Sequence, residues 1–208
     1  MIRNIIFDLG GVLFDINYQN IIDDFKKLGI QQFDSLYTQL KQDHLFDQLE
    51  TGAISASQFR DTIRSIAKQD FDDSQIDLAW NSILIGFPQR NVNLLLELKK
   101  QYRIFLLSNT NEIHETAFRK MFQAEHESRD FDLLFEKVYL SHRIHLRKPD
   151  PEIFNLVLRE NNLILEETLF IDDSLQHVKG AESIGLHSYC LKKDEWVGDI
   201  IKTYNLNY

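Results

Sequence analysis

Four polar groups stand at or just beyond the ends of apolar runs: Asp8, Ser108-Asn109, Lys148 and Asp172-Asp173. Asp8 closes the run Ile5-Ile6-Phe7 and is followed by Gly10-Gly11 and then Val12-Leu13-Phe14. A carboxylate in that setting can serve as a nucleophile, a metal ligand or both. The glycine pair lets the backbone turn sharply and approach a ligand closely. The plain alternative is an aspartate that only caps the next turn.

Asp172-Asp173 closes Thr168-Leu169-Phe170-Ile171. Adjacent carboxylates repel, and near a core they are costly unless a cation or hydrogen bonds offset them. With Asp8 they would form a hard oxygen site suited to Mg²⁺. Otherwise one caps a helix and the other is solvated. Ser108-Asn109 offers a hydroxyl, an amide and strand-end N–H groups near a helix start, which is a ready anion site, and a simple cap can coexist with that role. Lys148 can bring positive charge to a transferring phosphoryl group, although a lysine before proline is most often just solvated. The seven histidines include no helical pair at zinc-ligand spacing and read mostly as surface or core-edge residues.

These groups share one place only if the elements carrying them form a parallel sheet. Apolar runs at 2–8, 103–108, 137–140, 168–173 and 187–191 read as buried strands. Between and after them, helical spacing appears at 92–102, 111–122, 151–160, 178–184 and 196–204, with Pro151 at a tolerated early position and Gly185 as a stop. The alternation predicts an α/β fold, a mostly parallel five-stranded sheet flanked by helices. All four polar groups then converge on one sheet edge, where such folds bind ligands.

Residues 16–88 break that rhythm. Tyr18, Ile21, Ile22, Phe25 and Leu28 recur at helical spacing. Leu36, Leu40 and Leu45 suggest a second helix with Asp34 as its cap. Phe46 to Ser55 reads as a loop, Ser55 opens a helix carrying Phe59, Ile63 and Ile66, and Ile76 to Ile85 forms another that ends at Gly86-Phe87-Pro88. No strand is expected between Asp15 and Pro88, so the block reads as a helical insertion after the first strand.

Composition sets outer bounds. The 208 residues, 43% hydrophobic and 12% aromatic, suffice for a substantial core. A net charge of −9 with no long basic run argues against nucleic acid or an anionic membrane as partner. A single cysteine, Cys190, allows neither an internal disulfide nor a thiolate metal cluster. No charged leader precedes an apolar segment and no run reaches membrane-spanning length, so a cytoplasmic location is expected.

The ordered set resembles the haloacid dehalogenase superfamily of aspartate-nucleophile hydrolases: Asp8, Ser108, Lys148 and Asp172-Asp173 match its four motifs across nearly the whole chain. It is most similar to bacterial sugar-phosphate phosphatases of the alpha-D-glucose-1-phosphate phosphatase type, through Asp8-Leu9-Gly10, Glu50-Thr51-Gly52-Ala53-Ile54-Ser55, Leu107-Ser108-Asn109-Thr110-Asn111 and Arg147-Lys148-Pro149. The resemblance implies a Rossmann-like core of 1–15 and 89–208 with an all-helical cap at 16–88. It implies hydrolysis of a small phosphorylated metabolite, such as a sugar phosphate, through an aspartyl-phosphate formed on Asp8. Mg²⁺ would be held by Asp8, the Gly10 carbonyl and Asp173, with Asp172 adjacent, while Ser108, Asn109 and Lys148 would hold the phosphate oxygens. Glu50 and His44 are the expected cap residues facing the substrate.

One position departs from the pattern. Most phosphatases of the superfamily carry a second aspartate two residues after the nucleophile, as general acid and base, and here that position is Gly10. Metal-independent dehalogenases also lack it, so a 2-haloacid dehalogenase and a catalytically silent phosphate-binding module are the alternatives. A site without that acid is expected to favour sugar 1-phosphates, whose anomeric oxygen leaves more readily as an anion, over 6-phosphates.

Overall fold

A computed structural model of the chain describes residues 1–31, 33, 44–127, 129–204 and 206. Its strands are β1 (Asn4–Phe7), β2 (Asp15–Ile16), β3 (Leu84–Gly86), β4 (Arg103–Ser108), β5 (Lys137–Leu140), β6 (Thr168–Asp172) and β7 (His187–Cys190). Five of them form one sheet in the order β5-β4-β1-β6-β7, and each neighbouring pair is parallel. The expected α/β architecture, a Rossmann-like parallel sheet flanked by helices, is what the chain adopts.

The unbroken apolar runs follow from coverage of both faces. Alternate residues Ile5, Phe7, Ile104, Leu106, Leu169 and Ile171 pack with Val92, Leu95, Phe118 and Phe122. Their neighbours Ile6, Phe105, Leu107 and Phe170 pack with Ile153, Phe154 and Val157 of the helix Pro151–Glu160. Phe7 lies opposite Leu106 on one side and Ile171 on the other, so the carboxyl ends of β1, β4 and β6 are level. Local signals hold the helices that follow: the Asn111 side chain accepts from the N–H groups of Ile113 and His114, and that of Asp150 from Glu152.

The insertion differs in three places from its sequence reading. Helix Asp73–Asn81 stops short of Ile85, and Leu84–Gly86 instead pairs antiparallel with Asp15–Ile16. That strand pairing joins residues about seventy positions apart, which local periodicity cannot register. The predicted loop at Phe46 is a helix, His44–Glu50, with Phe46 and Leu49 buried three residues apart on one face; the turn follows at Thr51–Ser55. Ile66 is largely exposed, whereas Phe59 and Ile63 are buried as expected. The predicted helix through Leu36 and Leu40, with Asp34 as its cap, falls on residues 34–43, outside the described residues. No helix among the described residues is long and apolar enough to cross a membrane.

A second core fills the insertion around Trp80. Its indole is sandwiched between Phe46, at 5.1 Å and 11°, and His114, at 4.9 Å and 6°. His114 belongs to the helix Glu112–Glu125 that follows β4, so the stack joins the insertion to the sheet body. Burial lowers the His114 pKa to about 3, so the ring is neutral, and its Nδ1 pairs with Asn81 Oδ1 at 2.9 Å. Trp80→Ala should cost about 3–5 kcal/mol, read as a lower urea midpoint, since the cavity has rigid aromatic walls.

The same helix is tied to the short helix Ser141–Ile144 through buried Glu115, which accepts from Arg119 Nε at 2.6 Å and Arg143 Nε at 2.8 Å and lies 3.0 Å from His142 Nε2. Burial opposes the Glu115 charge, but these partners outweigh it and hold its pKa at about 2. A depressed folded-state pKa contributes stability that is complete above the ordinary value of 4.5 and is lost as pH falls toward 2. The stability difference between the parent and Glu115→Gln, followed by denaturant titration, should therefore shrink as pH falls through that range.

Candidate active site

The level ends of β1, β4 and β6 bring the sequence-predicted groups together. Lys148 is 0% exposed, and its Nζ donates to Asp8 Oδ1 at 2.7 Å, Asp172 Oδ2 at 2.6 Å and the Leu107 carbonyl at 2.8 Å. Asp172 also accepts from the Ser174 N–H at 2.8 Å and lies 3.0 Å from His177 Nδ1. Burial disfavours its ionised form, but Lys148 and His177 overcome that and hold the pKa at about 2. Asp8 shares the ammonium, yet burial and the nearby Asp172 charge push its pKa up. Lys148 stays cationic, since the two carboxylates outweigh its own desolvation and raise its pKa.

Asn109 plays a different part from the one its position suggests. Its Nδ2 donates to the Lys148 carbonyl at 2.9 Å, and its Oδ1 accepts from the Lys148 N–H at 2.9 Å. The side chain thus grips the backbone of Lys148 on both sides. The Ser108 hydroxyl lines the cavity with only a weak bond, 3.5 Å, to the Asn109 carbonyl. Ser141, which the sequence did not single out, fixes the next residue by accepting from the Thr110 N–H and donating to its carbonyl, each at 2.9 Å.

Of the adjacent pair, Asp173 and not Asp172 lines the cavity. Burial, then repulsion from Asp8 and Asp172, raises its pKa to about 7. One oxygen from each of Asp8, Asp172 and Asp173 lies within 4.8 Å of the others. An all-oxygen donor set with mutual repulsion of this kind suits a hard divalent cation, which relieves the repulsion. Gly11 makes the approach possible: at φ +77°, a Cβ there would lie 2.3 Å from Asp173 Oδ2. Gly10 also lines the cavity.

The cavity above these groups holds about 290 Å³. Glu50 reaches it from the last turn of helix His44–Glu50; burial raises its pKa, an effect that Arg147, 2.7 Å away, opposes. His44 is the first described residue of the same helix, but its side chain lies outside the described residues. Tyr18, Arg147 and His177 also line the cavity and were missed in the sequence. Burial, then the charges of Asp173 and Asp8, raise the Tyr18 pKa. Two of the three had a usable signal: Arg147 directly precedes Lys148, and His177 sits one helical turn beyond the acidic pair.

Comparison with known proteins agrees with this arrangement. The family model of haloacid dehalogenase-like hydrolases matches residues 2–185. The chain is 31% identical over 190 residues to the D-ribitol-5-phosphate phosphatase of Bacteroides thetaiotaomicron, covering 91% of each protein. It is similar in structure to a haloacid dehalogenase family enzyme of the same organism, solved as an aspartate-to-alanine mutant in complex with magnesium and inorganic phosphate: TM-score 0.92, 37% identity, covering 97% of this chain and 99% of that one. A HAD-like family hydrolase from Porphyromonas gingivalis follows at TM-score 0.88 and 34% identity, with 98% of both chains covered. With its sheet, its acidic edge and nearly its full length accounted for in this way, the chain belongs to the haloacid dehalogenase-like hydrolase family.

Proposed function

We propose that the chain is a Mg²⁺-dependent phosphatase acting on small phosphomonoesters of sugars or sugar alcohols, with residues 16–88 serving as its cap. The observation that carries this reading is the floor of the cavity, where Asp8 lies against the Lys148 ammonium with Asp173 and Ser108 alongside. An Asp8 oxygen attacks phosphorus, the ester oxygen departs with its electron pair, and water then cleaves the aspartyl-phosphate to release inorganic phosphate. Lys148 and the main-chain groups at Ser108-Asn109 receive the phosphate oxygens. Asp8, Asp173 and the Gly10 carbonyl would hold Mg²⁺, while Asp172, engaged by Lys148, Ser174 and His177, orients the lysine. When bound, the ion supplies the positive charge that offsets the phosphate beside an anionic nucleophile. The names of the phosphatase relative and of the magnesium–phosphate complex point the same way. A metal-independent dehalogenase would leave Asp173 packed against Asp8 with no use for the repulsion.

The test is phosphate release from D-ribitol 5-phosphate, glucose 1-phosphate and glucose 6-phosphate, with Mg²⁺ and with EDTA. Release should require the metal, and Asp8→Asn should lower it by about a thousandfold or more while the protein stays folded. Undiminished activity in Asp8→Asn, or halide release from a 2-haloacid without metal, would overturn the reading.

The absence of a carboxyl at position 10 has a kinetic consequence. A general acid contributes about a hundred- to ten-thousand-fold, and without one the leaving oxygen departs largely as an anion. Glucose 1-phosphate should therefore exceed glucose 6-phosphate in kcat, not merely in KM. Gly10 lies outside the left-handed region, and a Cβ there would meet the flexible end of Ile16 at 3.2 Å. A side chain thus fits after a small shift of Ile16, and Gly10→Asp should raise kcat for the 6-phosphate more than for the 1-phosphate. A parent enzyme that already turns over the 6-phosphate faster takes its proton from another group.

A further inference from the structure

The segment from Asp47 to Ala56 docks on the sheet body through several contacts, two of them made by one arginine. Arg147 Nη1 donates to Asp47 Oδ1 and Arg147 Nη2 to Glu50 Oε2, both at 2.7 Å. Beside this fork, the His145 ring bonds the Thr51 carbonyl at 2.8 Å. Gly52 lies so close to the His142 carbonyl that a Cβ would stand 2.5 Å from it. The Ala56 N–H donates to the Glu112 side chain. Arg147, Asp47 and Glu50 all line the cavity that ends at Asp8.

The two sides of this seam are not equally fixed. Lys148, the next residue, is held at its backbone by Asn109 and at its ammonium by Asp8, Asp172 and the Leu107 carbonyl. Arg147 therefore projects from a rigid base. The Glu50 side chain is only 13% exposed and that of Arg147 24%, so the fork is partly desolvated and stronger than an ordinary surface pair. A planar guanidinium can engage two carboxylates at once, which an ammonium on a flexible stem does poorly.

We propose that Arg147 is a positioning residue that locks helix His44–Glu50 over the cavity and thereby sets the wall against which the substrate's leaving group lies. The proposal rests on the phosphatase reading. Loss of the fork frees the helix but leaves Lys148 and Asp8 in place, so it should impair recognition of a hydroxyl-rich leaving group more than attack on phosphorus.

The test is a double-mutant cycle on the full chain, with Arg147→Met, Glu50→Gln and both together. Steady-state kcat and KM are measured for the best sugar or sugar-alcohol phosphate and for p-nitrophenyl phosphate. Arg147→Met should lower kcat/KM for the sugar substrate by about tenfold or more, mainly through KM, and by clearly less for p-nitrophenyl phosphate. Adding Glu50→Gln should deepen the loss less than about twofold, since both changes remove one interaction. Arg147→Lys should recover part of the loss. Equal losses on the two esters, or losses that multiply in the double variant, would overturn the proposal. If thermal melting shows that Arg147→Met does not fold, Asp47→Asn with Glu50→Gln, which strips the charge from the other side of the fork, must produce the same split between substrates. Failure of the parent to hydrolyse either ester would instead overturn the phosphatase reading.

Discussion

A fully buried ammonium shared by two carboxylates is the constraint on which the rest of the site depends. Taking Lys148 out of water is costly, and the cost is offset only because three acceptors meet its three N–H bonds at 2.6–2.8 Å. Each acceptor comes from a different adjacent strand, or the residue that extends it: Asp8 beyond β1, Leu107 in β4 and Asp172 in β6. A slip of one residue in either ladder would turn a carboxylate to the opposite face and leave a charge unpaired. The register and the ion cluster therefore specify each other.

The same cluster places two adjacent carboxylates in two different environments. Asp172 is enclosed by Lys148, His177 and the Ser174 N–H, and its pKa falls to about 2. Among the described residues no side chain is shown hydrogen-bonded to the Asp173 carboxylate, which faces the cavity and is pushed to about 7 by burial and by Asp8 and Asp172. Environments that drive paired titratable groups apart are how one site assigns different roles to like residues. Here three carboxylates gather around one ammonium, and Asp173 is the one that Lys148 does not bond, beside the glycine turn.

Among the described residues, the insertion meets the sheet body through attachments of physically different kinds. An aromatic stack, Phe46 on Trp80 on His114, fastens the interior of the insertion to the helix after β4. The ion-paired seam at Arg147 fastens its rim next to Lys148. Apolar stacking is insensitive to ionic conditions, whereas the seam is electrostatic and partly exposed, so the rim is the more easily loosened of the two attachments.

The sequence by itself determined the parallel sheet and the convergence of Asp8, Ser108, Lys148 and Asp172-Asp173. Strands buried on both faces need uninterrupted apolar runs, and a polar residue ending such a run is conspicuous. It could not decide what each polar group would touch. Asn109 reads as an anion ligand, yet its amide grips the backbone of Lys148, a residue brought near only when the end of β4 meets the turn after helix Ser141–Ile144. The two members of Asp172-Asp173 are alike in sequence and part company only when a lysine and a histidine surround one of them. Likewise β3 is too short to carry a periodic signal, and it exists because Asp15–Ile16 lies alongside it. Local pattern records which side chains must avoid water, whereas hydrogen-bond partners and pKa values depend on neighbours that are distant in the chain, and those were settled by the tertiary structure alone.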